Sequence, residues 1–135
     1  MAKSILIIDD DKLVLMTVKR LLALSGYSVC TALNARAAFR RLKEASFDLI
    51  ISDIKMPRMN GIETVKRIRQ YLLENRKARV PEIFITAYAS DAAYQEALAL
   101  NVAGYIKKPF DVRTLQETVK KAMGENNGAK ENINN

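Results

Sequence analysis

The sequence contains no histidine and a single cysteine, Cys30. The lack of histidine excludes an imidazole base, and zinc sites built from His or several Cys are excluded with it. One cysteine closes no internal disulfide, so a reducing cytoplasm is the expected compartment. Long apolar runs are missing too. Runs such as Ile5 to Ile8 fall far short of the roughly 18 residues that a membrane span needs. Lys3 with so short a run, ended by Asp9, makes no secretory signal. No glycine occurs before Gly26, so no glycine-rich loop follows the first apolar run, which argues against a nucleotide or flavin carrier. Any chemistry therefore falls to carboxylates, hydroxyls and lysines.

The 135 residues are 49% apolar and 27% charged, too apolar for a disordered chain and long enough for one self-sufficient core. The net charge is +7. Residues 1–60 contribute +4 and residues 61–135 contribute +3, so the excess is spread over the chain and forms no basic tail. That pattern suits a partner with an acidic face, joined at a salt-sensitive rate. It does not suit direct nucleic-acid binding, since basic residues are not interleaved with aromatics.

Two periods alternate along the chain. Ser4 to Ile8 reads as a strand covered on both faces. Leu13, Val14, Thr17, Val18, Leu21 and Leu22 recur at helical spacing, and Gly26 stops that helix. Tyr27 to Thr31, Leu49 to Asp53, Glu82 to Thr86 and Gly104 to Lys107 read as four more strands. Helices are expected around Ala35 to Leu42, Ile62 to Leu72, residues 90–101 and Val112 to Met123, with Asp11, Ser90 or Asp91, and Asp111 as caps. Alternating strands and helices predict an α/β fold, a five-stranded parallel sheet with helices on both faces. Residues 1–123 form the expected domain, and the Asn-rich residues 124–135 a flexible polar tail or the start of a linker. The loop Asn75 to Val80 carries Arg76, Lys77 and Arg79 and reads as basic and solvated.

Parallel sheets bind ligands beyond the carboxyl ends of their strands. Here those ends carry Asp9-Asp10-Asp11, Asp53, Thr86-Ala87 and Lys107-Lys108-Pro109. Clustered carboxylates need a cation, and hard oxygen ligands suit Mg²⁺. A lysine and a hydroxyl at the same rim suit an incoming phosphoryl group. With no other evident nucleophile, a carboxylate is the natural acceptor, and Asp53 is the candidate.

These motifs resemble the receiver domain of bacterial two-component response regulators. They are Ile7 to Asp11, Asp53 to Gly61, Ile85 to Ala87 and Gly104 to Phe110, in order, within residues 3–123. The resemblance implies a flavodoxin-like doubly wound sheet of order 2-1-3-4-5. It implies that Asp53 is the phosphoacceptor, charged by a phosphohistidine of a sensor histidine kinase or histidine phosphotransfer protein. It implies a Mg²⁺ site of Asp9, Asp10, Asp53 and the Lys55 backbone carbonyl. Lys108, Thr86 and Ala87 are the implied phosphate contacts, and Thr86 and Tyr105 the implied switch pair, which on phosphorylation remodels the face of the fourth helix, fifth strand and fifth helix. A cis bond before Pro109 is also implied.

Plainer readings stand beside these. One aspartate of the acidic run suffices to cap a helix, and Asp11 is assigned that task. Tyr105 can be core in the resting state. Gly61 is expected to supply backbone freedom, Met56 and Met59 packing, and Cys30 a small buried hydrophobe. Arg36, Arg40, Arg41 and Lys43 read as a solvated helix face. The alternative function is a Mg²⁺-dependent phosphatase of haloacid dehalogenase type, which wants a second aspartate where Lys55 stands. Lys55 and Tyr88 are expected to border the path of the water that hydrolyses the acyl phosphate. A stand-alone cytoplasmic regulator is expected, monomeric or a phosphorylation-linked dimer. Its downstream target is an unidentified protein, and neither nucleic acid nor membrane is an expected partner.

Overall fold

The computed structural model describes residues 2–87 and 91–125. The elements run β1 (Ser4–Ile8), α1 (Lys12–Leu24), β2 (Ser28–Ala32), α2 (Ala35–Glu44), β3 (Leu49–Asp53), α3 (Gly61–Glu74), β4 (Glu82–Thr86), α4 (Asp91–Ala99), β5 (Gly104–Lys107) and α5 (Val112–Ala122). The strands form one parallel sheet of order β2-β1-β3-β4-β5, as expected.

Strand alternation explains how both faces are covered. Ile5, Ile7, Leu49, Ile51, Ile83 and Ile85 point to one side and pack against Leu15, Val18 and Leu22 of α1 and Leu115 and Val119 of α5. Leu6, Ile8 and Ile50 point to the other side, against α2 and α3. On that side Phe84 meets Val65 of α3 and Ala97 of α4. No described helix is long and apolar enough to cross a membrane.

Side-chain caps set the helix starts. Asp11 accepts from Leu13 N and Val14 N, Asn34 from Ala37 N, Asn60 from Glu63 N, and Asp111 from Thr114 N. Ser90 lies outside the described residues.

Several expectations shift. Tyr27 stands before β2, not in it. With Gly26 at φ +98° it closes α1, and its N–H donates to Leu22 O. Gly124 closes α5 in the same left-handed way, and Glu125 follows with its N–H on Lys120 O. The Glu125 carboxylate then accepts from Tyr27 Oη at 2.7 Å and faces Lys3 Nζ at 3.6 Å. These contacts tie Glu125 to the residue before β2 and to the segment before β1. Cys30 is only half-buried, against the α2 side.

Gly61 is the clearest correction. Its φ is not in the left-handed region, so conformational freedom is not its role. A Cβ there would strike the Asp53 carbonyl oxygen and come within 2.9 Å of Ile54 Cα. Gly61 is glycine because α3 starts against the backbone of β3, where its N–H donates to Ile54 O at 2.7 Å.

Candidate functional site

The chain runs from β1 outward to β2, then returns to β3 on the other side of β1, so the direction of winding reverses between β1 and β3. A crevice opens at such a reversal. Asp9, directly after β1, and Asp53, the last residue of β3, stand there. Both are buried, at 2% and 7% exposure, which is expensive for carboxylates unless they are bonded. One oxygen of each is anchored by the backbone. Asp9 Oδ1 accepts from Asp11 N at 2.9 Å, and Asp53 Oδ1 accepts from Ile54 N at 2.8 Å.

Lys108 faces the other two oxygens. Its N–H donates to Thr86 O, which carries the β4–β5 ladder past the end of β5. The side chain then reaches back over the rim. Its Nζ lies 3.0 Å from Asp9 Oδ2 and 3.5 Å from Asp53 Oδ2. The peptide bond between Lys108 and Pro109 is cis. Lys107, one residue earlier, is exposed.

Burial pushes the Asp53 carboxyl up, the Asp9 charge adds to that, and Lys108 opposes it; the net shift is upward. Burial pulls the Lys108 ammonium down, but its bond to Asp9 and the charges of Asp9 and Asp53 outweigh this, so its pKa is raised. Lys108 stays charged and Asp53 is a more basic carboxylate than an exposed one.

Asp10 completes an acidic group. Carboxylate oxygens of Asp9, Asp10 and Asp53 all lie within 4.8 Å of one another, with Asp10 exposed. A Mg²⁺ ion with bonds of 2.0–2.1 Å spans at most about 4.2 Å between opposite ligands, so the three need only draw in slightly. Three carboxylates against one ammonium leave net negative charge, and the donor set is all hard oxygen. The residues fit the ion. Lys55, whose carbonyl was the fourth expected ligand, is exposed in the loop after β3. In that loop Met59 N donates to Pro57 O at 2.8 Å, around Arg58 at φ +69°, a strained γ-turn.

Thr86 is buried at the end of β4, and Ala87 beside it is exposed. Tyr88 lies outside the described residues. Tyr105, on β5, is half-buried and packs with the α3–α4 cluster. Its ring meets that of Tyr94 of α4 edge-on, with centroids 5.0 Å apart. Among the described residues its buried hydroxyl meets no hydrogen-bond partner. Burial raises its pKa, and Tyr94 adds to that.

Sequence reading missed a third buried carboxylate, Glu82, at the opposite end of β4 and 1% exposed. Arg69 of α3 grips both its oxygens at 2.8 Å, and Arg79 stands 3.7 Å away. An acid inside a strand covered on both faces was the available signal, because it needs a cation.

A family profile described as the response regulator receiver domain matches residues 5–120. The chain is 37% identical over 121 residues to the transcriptional regulatory protein CrdR of Helicobacter pylori, covering 90% of this chain and 55% of that protein. It is 35% identical over 120 residues to the transcriptional regulatory protein ZraR of Escherichia coli, covering 89% of this chain and 26% of that one. It thus spans about half and about a quarter of these relatives' lengths. Among solved structures, the chemotaxis protein CheY4 of Vibrio cholerae superposes with a TM-score of 0.81 at 33% identity, covering 90% of this chain and 99% of that one. A CheY-like receiver domain protein of Methanospirillum hungatei gives 0.82 at 31% identity, covering 93% and 96%. The reversal-point crevice and the match over most of the chain agree: the chain belongs to the response regulator receiver domain family.

Proposed function

We propose that the chain is a phosphorylation-controlled switch that accepts a phosphoryl group on Asp53. The observation that carries this is the convergence of Asp9, Asp53 and Lys108, from three separate strand ends, within 3.0–3.5 Å of one ammonium. An Asp53 carboxylate oxygen attacks phosphorus of a partner's phosphohistidine. The N–P bond breaks and its electron pair returns to the imidazole, which takes up a proton. Bound Mg²⁺, held by Asp9, Asp10, Asp53 and the Lys55 carbonyl, supplies neutralisation of the phosphoryl oxygens. Lys108 exchanges its carboxylate partners for a phosphoryl oxygen, and Thr86 and Ala87 contact the others.

The backbone bond from Ile54 N fixes the Asp53 carboxylate in one orientation. Thr86 drawn to the phosphoryl group makes room for the Tyr105 ring. The face of α4, β5 and α5 then changes shape, and with it the affinity for a downstream protein. The donor is a sensor histidine kinase or a histidine phosphotransfer protein, and the chain assists only its own phosphorylation and dephosphorylation. The phosphatase alternative has no observation in its favour, since exposed Lys55 occupies the place of its second acid.

Incubation with acetyl phosphate and Mg²⁺, followed by peptide mass mapping, tests the reading. One phosphoryl group on Asp53, absent from Asp53→Asn and absent with chelator, is expected. Label that persists in Asp53→Asn would place the nucleophile elsewhere.

A further inference from the structure

At the pole opposite Asp53, where the strands begin, the chain forms a solvent-open pocket of about 450 Å³. That is within the range of small-molecule sites. Its floor is apolar and built from buried side chains, Leu42 of α2, Phe47, Leu72 of α3 and Val80. Its lip is cationic, formed by Lys77 and Arg79 of the basic loop, which the Asp53 chemistry does not use.

The charges at the lip do not cancel. Glu82 has both oxygens committed to Arg69 at 2.8 Å, so Arg79, at 3.7 Å and 58% exposed, is held only loosely. One carboxylate for two guanidiniums leaves positive charge at the cavity mouth. The Lys77 ammonium adds to it and stands 5.8 Å above the Tyr71 ring, a weak hold. The acid on the wall, Asp48, accepts the Ser4 N–H at 2.8 Å and brings a negative charge, so Lys77, Arg79 and Arg69 against Glu82 and Asp48 leave a net single positive charge around the mouth. An apolar floor with a cationic lip matches one ligand chemistry. We propose that this cavity binds a small apolar carboxylate, its hydrocarbon body against Phe47 and Leu72 and its carboxylate on Arg79 and Lys77.

The test is a titration of the full chain with 1-naphthoate, followed by amide ¹H–¹⁵N chemical shifts. Saturable shifts centred on Phe47, Lys77 and Val80 are expected. The neutral isostere 1-naphthalenemethanol should bind about fivefold more weakly, the share of a part-exposed ion pair. Arg79→Glu, at an exposed position, should weaken naphthoate about tenfold and leave acetyl phosphate labelling of Asp53 unchanged. Ser46→Trp, at the mouth, should block both compounds. Shifts that do not saturate, shifts centred elsewhere, equal affinity for acid and alcohol, or full binding by Ser46→Trp would each overturn the proposal. The amide spectra also report whether each variant is folded.

Discussion

Gly61→Ala is a sharp test of how the site is built. Glycine-to-alanine changes near a helix start ordinarily stabilise, by about 0.4–1 kcal/mol, through the unfolded chain. Here the sign should reverse. The new methyl would overlap the Asp53 carbonyl oxygen and crowd Ile54 Cα, and both obstacles are backbone. A flexible side chain could swing aside, but the end of a central strand with β1 on one side and β4 on the other cannot. Overpacking of this kind costs typically 1–3 kcal/mol, and a rigid obstacle puts this case near the top, about 3 kcal/mol. For a chain of this size that lowers Tm by about 10 °C. Relief can come only by moving α3 outward, which also stretches the 2.7 Å bond from Gly61 N to Ile54 O. Ile54 N holds the Asp53 carboxylate, so labelling by acetyl phosphate should slow as well. Urea unfolding followed by circular dichroism gives the energy, and phosphoryl incorporation gives the rate. Gly26→Ala is the control. It meets open space but sits at φ +98°, so it should cost about 1 kcal/mol without touching the labelling rate. A Gly61→Ala protein as stable as the parent would refute the argument from close approach.

Three further outcomes are expected. Lys108→Ala leaves Asp9 and Asp53 facing each other without their shared cation, so Mg²⁺ should raise its Tm more than it raises that of the parent; equal shifts would show that Lys108 does not offset that repulsion. Arg69→Ala strands the buried Glu82 carboxylate and should cost about 3 kcal/mol in urea unfolding, whereas Arg69→Met with Glu82→Leu should recover most of it; no recovery would locate the loss in packing. Burial, then the bond to Glu125 and its charge, push Tyr27 from 10.0 up to about 12. Its contribution to stability is therefore fully present below pH 10 and is lost as pH rises through about 12. Absorbance titration at alkaline pH should show a late-ionising component, to which Tyr105 also contributes, that loses one tyrosine in Tyr27→Phe; an unchanged late component would exclude this assignment.

Much of this molecule can be read from its residues. The apolar runs and helical spacings give the order of elements, because strands covered on both faces leave almost no polar residues and the helices keep one wet face. Strand ends are legible for the same reason: Asp9, Asp53 and Lys108 interrupt apolar runs at the edge of the core. What stays hidden depends on distance in three dimensions. Arg69 and Glu82 lie in different elements, and nothing local says that they meet. A glycine announces itself, but whether it serves torsion, as Gly26 does, or clearance, as Gly61 does, depends on a neighbouring backbone. The cavity is built by the ends of α2 and α3 and the loops after them, none of which is distinctive alone. Tyr105 is visible as an aromatic in a strand, whereas its edge-on contact with Tyr94 is a property of the packing around it.

The Arg69–Glu82 pair bears on the far end of its strand. A parallel strand in an apolar sheet has few marks that fix how far it may slide along its neighbours. Side chains alternate, so a slip of one residue would carry Thr86 to the opposite face of the sheet. Glu82, Phe84 and Thr86 share one face, and Glu82 precedes Thr86 by about 13 Å of strand. Any such slip would have to pull Glu82 out of the two-pronged grip of Arg69. The pair thus works as a depth stop. It sets where the Thr86 hydroxyl arrives at the rim without coming near the chemistry there.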